Sequence, residues 1–285
     1  MSALLVSPNC SDLAEPNFVV RQFPDGENYV WVPQAEELRG KDVILLHRLY
    51  PHQHTNIFEL FQVLKVLNEV GAKTTVVAPY LPYARQDEIV RQGEALSAQM
   101  LCSLFACAGV KKLVTFDCQF INGPGEVEFE GLRIENRTMA PELLAYVKPK
   151  LRNPMIVSTG GESAYMVKEE GGLTLRKVHG DYIVEDASFK REVIQKLDFD
   201  VSGRDVLVID DLISSGSTMT KAVQACKAGG ARRIICAAVH GLLVGNAFDR
   251  IRAAGAKEVI VTDTIPGPAA VVSISQKLGD LLKQP

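Results

Sequence analysis

The chain has 285 residues, 47% of them hydrophobic, and this length and composition predict a folded protein of about two domains. Its 31 Lys and Arg residues are nearly balanced by 34 Asp and Glu residues, for a net charge of −3, and no basic run stands out, so neither a nucleic acid nor a membrane surface is an expected partner. The first residues carry no basic leader, and no run of about 18 apolar residues occurs, so we expect neither a signal peptide nor a membrane span.

One unit recurs along the chain: an apolar helix, a glycine, a basic residue and a continuous apolar strand. It occupies residues 60–79, 101–117, 222–239 and 248–263. The glycine supplies the left-handed turn that ends a helix, and the basic residue complements the helix C-terminus. Because apolar and polar residues do not alternate along these strands, both faces of each strand should be covered. This is typical of a mainly parallel sheet flanked by helices. We therefore predict an α/β fold.

The spacing of these units indicates two related halves. Gly71 and Gly109 are 38 residues apart, whereas Gly230 and Gly255 are 25 residues apart. The extra 13 residues fall where the first half carries a polar insertion at 79–97. Chance is the alternative interpretation, because the order helix, glycine and strand is common in α/β proteins.

A domain boundary is predicted between residues 137 and 154. There the segment APELLAYVKPKLRNP ends a helix, and prolines interrupt regular structure. We therefore expect an N-terminal domain at 1–140 and a C-terminal domain at 141–285.

The most informative segment is DVLVIDDLISSGSTMTKAVQAC at 205–226. A buried strand is predicted to end at Asp210 and Asp211, and a loop of small residues then leads into a helix. Small residues let backbone N–H groups approach an anion, and the helix N-terminus adds positive partial charge. The paired acids suit ribose hydroxyls or a Mg²⁺ beside the phosphate. The alternative is a well-capped helix with solvated aspartates, but ligands of such sheets bind at the carboxyl ends of the strands.

This pattern resembles the PRPP loop shared by phosphoribosyltransferases and PRPP synthases. The resemblance implies that Asp210 and Asp211 bind ribose hydroxyls. It also implies a cradle for the 5-phosphate, which comprises Ser214, Ser215, Gly216, Ser217 and Thr218.

Two earlier segments resemble the ribose-phosphate diphosphokinase (PRPP synthase) family in particular. RQFPDGENYV at 21–30 is similar to the family's F-x-D-G-E segment, which contacts the nucleotide of a neighbouring subunit. PYLPYARQDE at 79–88 is similar to its Y-x-R-Q-D segment, which binds ATP. The chemistry agrees, since Arg offers a planar fork to a triphosphate and Gln can recognise an adenine edge. The implied ATP-binding residues are Phe23, Asp25, Glu27, Arg85 and Gln86.

The resemblance implies a fold, a reaction and partners. The fold would be two tandem phosphoribosyltransferase-like domains, each a mainly parallel sheet flanked by helices. The reaction would transfer the diphosphate of Mg-ATP to the 1-hydroxyl of ribose 5-phosphate or a related sugar phosphate, with Mg²⁺ as cofactor. Because the nucleotide site is divided between subunits, a homo-oligomer (a dimer or larger) is implied, and a hetero-oligomer with an active paralogue is the alternative.

The implied metal site departs from the family pattern. The family usually has Asp-Leu-His where this chain has Asp117, Cys118 and Gln119. A Gln oxygen can coordinate Mg²⁺, although it is not an imidazole. The metal-binding candidates are Asp117, Gln119, Asp210 and Asp211.

Two further departures lie in the C-terminal half. Where the family's ribose-5-phosphate loop reads S-P-D-x-G-G, this chain has Thr159 and Gly160, with Glu162 as a displaced acid. The family's catalytic Lys-x-Arg falls opposite LTLRKVHGDYIVED at 173–186. In the alternative interpretation, Arg176 and Lys177 are ordinary exposed strand charges and His179 is a turn residue. The catalytic candidates are Arg176, Lys177 and His179.

Three functions therefore stay open. The first is a divergent PRPP synthase, or a relative that passes diphosphate to another sugar phosphate. The second is a catalytically silent homologue that binds nucleotide or sugar phosphate and regulates or assembles with an active synthase. The third is a phosphoribosyltransferase that consumes PRPP, which one phosphate-loop domain would suffice to support.

The six cysteines form no C-x-x-C pair, and several lie within apolar runs. Reduced core thiols are therefore expected, rather than disulfides or zinc ligands. The expected compartment is the cytoplasm.

Overall fold

The chain forms two compact units, residues 1–137 with 274–285, and residues 138–273. The computed structural model describes residues 2–185 and 188–282, with side chains described for 2–176 and 197–281. In the described part of the chain, no helix is both long enough and apolar enough to cross a bilayer.

The first unit contains a sheet of mostly parallel strands. Its elements are β1 (Ala3–Val6), β2 (Val19–Gln22), β3 (Asn28–Trp31), β4 (Asp42–Leu46), α1 (Gln53–Glu69), β5 (Lys73–Val77), α2 (Ser97–Cys107), β6 (Val110–Phe116), β7 (Gly125–Phe129) and β8 (Leu132–Arg137). The strand order is β1-β4-β5-β6-β8-β7, and only β7 runs antiparallel to its neighbour. A separate antiparallel hairpin joins β2 to β3.

The second unit has a fully parallel sheet of six strands. Its elements are α3 (Ala140–Val147), β9 (Met155–Ser158), α4 (Tyr165–Lys168), β10 (Leu173–Thr174), β11 (Arg176–Glu185), β12 (Ser188–Lys196), β13 (Asp205–Ile213), α5 (Ser217–Ala228), β14 (Arg233–Gly241), α6 (Ala247–Ala254), β15 (Glu258–Thr262) and β16 (Ala270–Val272). The strand order is β10-β9-β13-β14-β15-β16. Strands β11 and β12 form an antiparallel hairpin.

The two units repeat one order of elements. In the first, β1 is followed by the β2–β3 hairpin and then by β4, α1, β5, α2 and β6; in the second, β9 is followed by the β11–β12 hairpin and then by β13, α5, β14, α6 and β15. The corresponding strands are also neighbours in the same order in both sheets. This correspondence supports the duplication, and parallel sheets flanked by helices confirm the predicted fold class.

Apolar side chains cover both faces of the first sheet. Val43 and Leu45 on one face of β4 belong to the core that Leu64 of α1 also joins. Because side chains alternate along a strand, Ile44 and Leu46 point to the opposite face. There they line an apolar cavity of about 120 Å³ beneath a last helix, α7 (Ser275–Leu282).

Helix α7 joins the first unit, whereas the prediction assigned the C-terminal segment to the second domain. Leu278 and Leu281 are buried and line the cavity together with Leu4 and Ile44. The chain therefore returns to the first unit because α7 supplies the apolar cover that this sheet face needs. The other boundary lies between residues 137 and 138, close to the predicted 140 and 141.

Five of the six thiols are buried, and within the described residues no disulfide joins them. Burial raises the pKa of Cys10 and Cys102 to about 12 and that of Cys226 to about 11. These thiols are therefore protonated at neutral pH, which makes them poor nucleophiles and metal ligands.

Helix α7 gives a stability prediction. Gly279 lines the cavity, and a Cβ added there meets open space. Because Gly costs about 1 kcal/mol relative to Ala inside a helix, Gly279→Ala should raise the free energy of unfolding by about that amount. Urea unfolding measures the difference. As a contrast, Gly241→Ala should destabilise the protein, because its Cβ would lie 2.6 Å from a methyl group of Val261; a destabilised Gly279→Ala variant would contradict the packing described for α7.

Candidate functional site

The predicted phosphate loop follows β13 and leads directly into α5. Residues 214–216 form the loop, and the helix begins at Ser217. Gly216 is the N-cap residue, has a left-handed φ of 75°, and makes no side-chain cap hydrogen bond. The first N–H groups of a helix have no acceptor within the helix. The loop therefore presents backbone donors and positive partial charge, which suit a phosphate.

Gly216 is needed for packing as well as for the turn. A Cβ at this position would lie 3.1 Å from Ala247 Cβ and 3.1 Å from Ile251 Cδ1, both in α6. The Ser214 carbonyl accepts a hydrogen bond from the Val244 N–H at 3.1 Å, which ties the loop to the segment before α6. A larger residue at 216 would thus disturb the fold, so Gly216→Val is not a selective probe of binding.

Asp210 and Asp211 lie near the carboxyl end of β13, and each is 8% exposed. Successive strand side chains point to opposite faces, so the two carboxylates do not act as one chelating pair. The Asp211 N–H also donates to Asp210 Oδ1 at 3.2 Å. The two acids can therefore contact different parts of one ligand.

The loop after β9 lies at the same edge of the second sheet. The Thr159 N–H donates to the Ile209 carbonyl at 3.2 Å, which places this loop beside the approach to Asp210. The Ser163 hydroxyl donates to the Gly160 carbonyl at 3.3 Å, and Glu162 is exposed in the same turn. The structure thus brings the predicted acceptor loop, which carries the acid Glu162, beside β13 at the residue before Asp210.

The catalytic candidates lie on the β11–β12 hairpin. Arg176 begins β11, is exposed, and pairs opposite Lys196. The backbone of His179 pairs opposite Val193. The side chains of Lys177 and His179 lie outside the described residues, so their catalytic assignment stays a prediction.

The predicted ATP segment of the first unit forms the loop between β5 and α2. Arg85 is exposed, and Gln86 is half-buried. The Gln86 N–H donates to the Tyr83 carbonyl at 3.4 Å, and the Tyr83 ring lies 6.0 Å from the His54 ring at the start of α1. The loop is thus held against α1 and leaves the Arg85 guanidinium open to solvent.

The other ATP segment is the tip of the β2–β3 hairpin. Phe23, Asp25 and Glu27 are all exposed there. Asp25 Oδ1 accepts a hydrogen bond from the Glu27 N–H at 3.1 Å, and the Phe23 ring packs edge-on against Tyr29 at 5.9 Å. An ordered hairpin tip with open side chains is suited to contact a second molecule, so the assignment of these residues to a neighbour's nucleotide stays a prediction.

The β2–β3 hairpin and helix α1 line an open cavity of about 540 Å³ in the first unit. Glu27 and Asn28 line it from the hairpin, and His54 and Phe58 line it from α1. Since His54 also contacts Tyr83, the two predicted ATP segments border neighbouring surfaces of this unit.

The predicted metal residues fall into two separate pairs. Asp117 is buried at the end of β6, and its N–H donates to the Arg137 carbonyl at 2.7 Å. Gln119 Oε1 is buried and has no hydrogen-bond partner among the described residues. Asp210 and Asp211 form the other pair, in the second unit.

These oxygen donors fit a magnesium ion that is shared with a substrate. In the described part of the chain, no three His, Cys, Asp or Glu side chains form a metal-binding group. Mg²⁺ usually takes only one or two carboxylates and completes its octahedron with water and substrate phosphates. A cation or its water would also satisfy the buried Gln119 oxygen, which would otherwise carry the cost of desolvation.

A buried polar cluster in the first unit was not anticipated from the sequence. His47 Nε2 lies 2.9 Å from Glu59 Oε1, and the Ser7 hydroxyl donates to the same oxygen at 3.2 Å. His47 Nδ1 is buried without a partner in the described chain, so Nε2 is the ring nitrogen that donates to Glu59. The sequence signal that could have revealed this cluster is Glu59, an acid within the apolar stripe of α1. A carboxylate at such a position requires a buried polar partner.

A buried arginine adjoins this cluster. Arg48 is 2% exposed and forms an ion pair with the partly exposed Asp12. Burial would raise the pKa of the Asp12 carboxyl, but the hydrogen bond and charge of Arg48 hold it below the usual value.

His47 and Arg48 directly follow β4, at the position that Asp210 and Asp211 take near the carboxyl end of β13. The first unit therefore has no acid pair at the corresponding place. Bulky residues such as Tyr50 and His52 take the place of the small loop residues. The features expected of a ribose-phosphate site are therefore confined to the second unit.

Comparisons with known proteins show which family the chain resembles. Residues 11–109 match the family model described as the N-terminal domain of ribose phosphate pyrophosphokinase, and residues 178–279 match the phosphoribosyl synthetase-associated domain. The chain is 32% identical to a ribose-phosphate pyrophosphokinase of Sulfolobus acidocaldarius over 88% of this chain and 86% of that protein. It is also 32% identical to one of Pyrococcus abyssi, over 93% and 90%.

A solved structure matches almost the whole chain. The crystal structure of phosphoribosylpyrophosphate synthetase from Mycobacterium smegmatis has a TM-score of 0.79 and 24% identity to this chain, and it covers 99% of this chain and 97% of its own. At that identity the likeness shows the fold, which is the one predicted from the sequence.

The buried cluster gives a second stability prediction. Glu59→Leu removes the acceptor of two buried donors, His47 Nε2–H and the Ser7 hydroxyl, and should lower the free energy of unfolding by about 3 kcal/mol. Glu59→Gln keeps one carbonyl oxygen and should cost clearly less. Urea unfolding of both variants measures the two losses. A Leu variant as stable as the native chain would show that the cluster is not hydrogen-bonded as described.

Proposed function

The chain belongs to the ribose-phosphate pyrophosphokinase family, and we propose that it transfers the β,γ-diphosphate of Mg-ATP to the 1-hydroxyl of ribose 5-phosphate or a related sugar phosphate. The observation that carries this proposal is the acid pair near the carboxyl end of β13, shortly before a glycine-capped helix N-terminus. Two acids suit ribose hydroxyls, and the backbone donors suit the 5-phosphate.

The reaction forms one bond and breaks one bond. The 1-hydroxyl oxygen of the sugar bonds to the β-phosphorus of ATP, and the bond from that phosphorus to the α,β-bridging oxygen breaks. AMP leaves with the bridging oxygen, and the hydroxyl proton is released. Because charge develops on crowded phosphates, the protein must mainly position the two substrates and supply cations.

The second unit would hold the acceptor. The N-terminal amides of α5 would bind the 5-phosphate, and the hydroxyls of Ser215, Ser217 and Thr218 would add hydrogen bonds. Asp210 and Asp211 would bind the ribose hydroxyls and fix the direction in which the 1-hydroxyl points.

The donor would contact Arg85 and Gln86. The exposed Arg85 guanidinium can form a bidentate contact with a phosphate. Phe23, Asp25 and Glu27 would complete the nucleotide pocket of a neighbouring copy, so we propose a homo-oligomer. A bound Mg²⁺, held by Asp117 with Gln119 or by either Asp210 or Asp211, would neutralise phosphate charge. Arg176, Lys177 and His179 are proposed to stabilise the charge that develops during transfer.

A catalytically silent homologue is the second candidate. It is favoured by Gln119 at the expected histidine position and by Thr159 and Gly160 in the acceptor loop. Such a protein would bind nucleotide or sugar phosphate and assemble with an active relative.

Product analysis distinguishes the two candidates. Purified protein with Mg-ATP and ribose 5-phosphate, or a panel of other sugar phosphates, should release AMP, whereas ordinary phosphorylation would release ADP. Nucleotides separated by chromatography give the answer, and removal of Mg²⁺ with a chelator should abolish AMP release. If no sugar phosphate yields AMP although the protein binds ATP, the silent homologue is the correct conclusion.

Two substitutions test whether the second unit binds the sugar phosphate and the first unit binds ATP. Asp211→Asn removes a charge proposed to bind ribose and should raise the KM for ribose 5-phosphate about tenfold or more, with little change in the KM for ATP. Arg85→Ala should raise the KM for ATP, with little change in the KM for ribose 5-phosphate. Steady-state kinetics with each substrate varied in turn measures both effects. Equal changes for both substrates in both variants would contradict the assignment.

A further inference from the structure

One hydrogen bond links the predicted nucleotide loop to the helix that follows it. The Ser97 hydroxyl donates to Gln86 Oε1 at 2.6 Å, a short and strong contact. The Ala98 N–H also donates to the Gln86 main-chain carbonyl at 3.2 Å. Both oxygens of Gln86 are thus held by the first turn of α2.

The use of Ser97 here is unusual for a serine at the start of a helix. Serine is favoured at the N-cap, where its oxygen accepts a hydrogen bond from a free backbone N–H. In α2 the N-cap is Leu96, which makes no side-chain cap hydrogen bond, and Ser97 is the first helical residue. Its hydroxyl therefore orients the side chain of Gln86 and does not cap the helix.

The contact decides what Gln86 can offer to a ligand. A Gln amide has one acceptor oxygen and an NH₂ group with two donors. Since Oε1 is already bound by Ser97, Nε2 is the group that is available, and no described residue accepts a hydrogen bond from it. Gln86 is half-buried and follows the exposed Arg85, so its Nε2 lies in the same loop as that guanidinium.

We infer that Ser97 is a positioning residue, which fixes the Gln86 amide so that Nε2–H donates to an acceptor atom of the nucleotide. This inference rests on the proposed role of Gln86 in ATP binding. The acceptor is either a phosphate oxygen or a ring nitrogen of the base. A contact with ring nitrogen N1 would also select adenine, whose N1 accepts a hydrogen bond, over guanine, whose N1 carries a hydrogen.

Ser97→Ala frees the Gln86 amide to rotate and should weaken ATP binding on the order of fivefold, the usual effect of one lost hydrogen bond. Ser97→Thr keeps the hydroxyl and should restore the affinity. Ser103→Ala, a serine change in the same helix whose contact is with the exposed Glu130, is the matched control and should leave ATP affinity unchanged.

Calorimetric titration with Mg-ATP, Mg-GTP and adenosine measures these effects without turnover. If the acceptor is a ring nitrogen, Ser97→Ala weakens the binding of both adenosine and ATP, and where that nitrogen is N1 it also narrows the preference for ATP over GTP. If the acceptor is a phosphate oxygen, Ser97→Ala weakens ATP and GTP alike and leaves adenosine unchanged. Both results support the inference and identify the contacted group.

A double-mutant cycle separates positioning from a general effect on folding. Gln86→Glu keeps an acceptor for Ser97 but has no N–H to donate, so adding Ser97→Ala to it should cost no further ATP affinity. Unchanged ATP affinity in Ser97→Ala, or additive losses in the double variant, would overturn the inference. Because binding is measured directly, a native protein that binds ATP but forms no AMP would reject the proposed reaction and still test Ser97.

Discussion

The parallel direction of the strands is the constraint on which the candidate sites of both units depend. Parallel strands all end at the same edge of their sheet, and every residue that follows such a strand is delivered to that edge. In the second unit this brings the loop after β9 beside Asp210 and the loop after β13. The candidate ribose-phosphate site therefore follows from strand direction, although its residues are some 50 positions apart in the chain.

One architecture serves two different purposes in this protein. The loop after β13 is short and built from serine and glycine, so backbone amides are accessible. The corresponding loop after β4 carries His47 and Arg48, whose side chains are buried in hydrogen bonds with Glu59 and Asp12. The large, internally paired side chains of His47 and Arg48 thus fill the carboxyl end of β4, whereas the small residues after β13 leave the carboxyl end of that strand accessible. The first unit has instead a long insertion between β5 and α2, which is the segment proposed to contact the nucleotide.

Much of the fold was predictable because its signals are local. Uninterrupted apolar strands and glycine-ended helices predict parallel sheets in any context, and the fold class was confirmed. The phosphate loop was predicted from the same kind of local signal, since its residues are consecutive, and its role stays a prediction. Helix α7 was assigned to the second domain because nothing local marks its return to the first sheet. Glu59 and Ser97 were missed because their partners, His47 and Gln86, are 12 and 11 residues away.

The sequence by itself determined the α/β class, the family and the order of the motifs, because each depends on short runs of neighbouring residues. Only the tertiary structure decided which strand end stays open, which face α7 covers and which atom of Gln86 is held by Ser97. These outcomes depend on burial and hydrogen bonds between distant segments. The residue type determines which hydrogen bonds a side chain can form, whereas the folded structure determines which of its donors and acceptors already have partners within the protein.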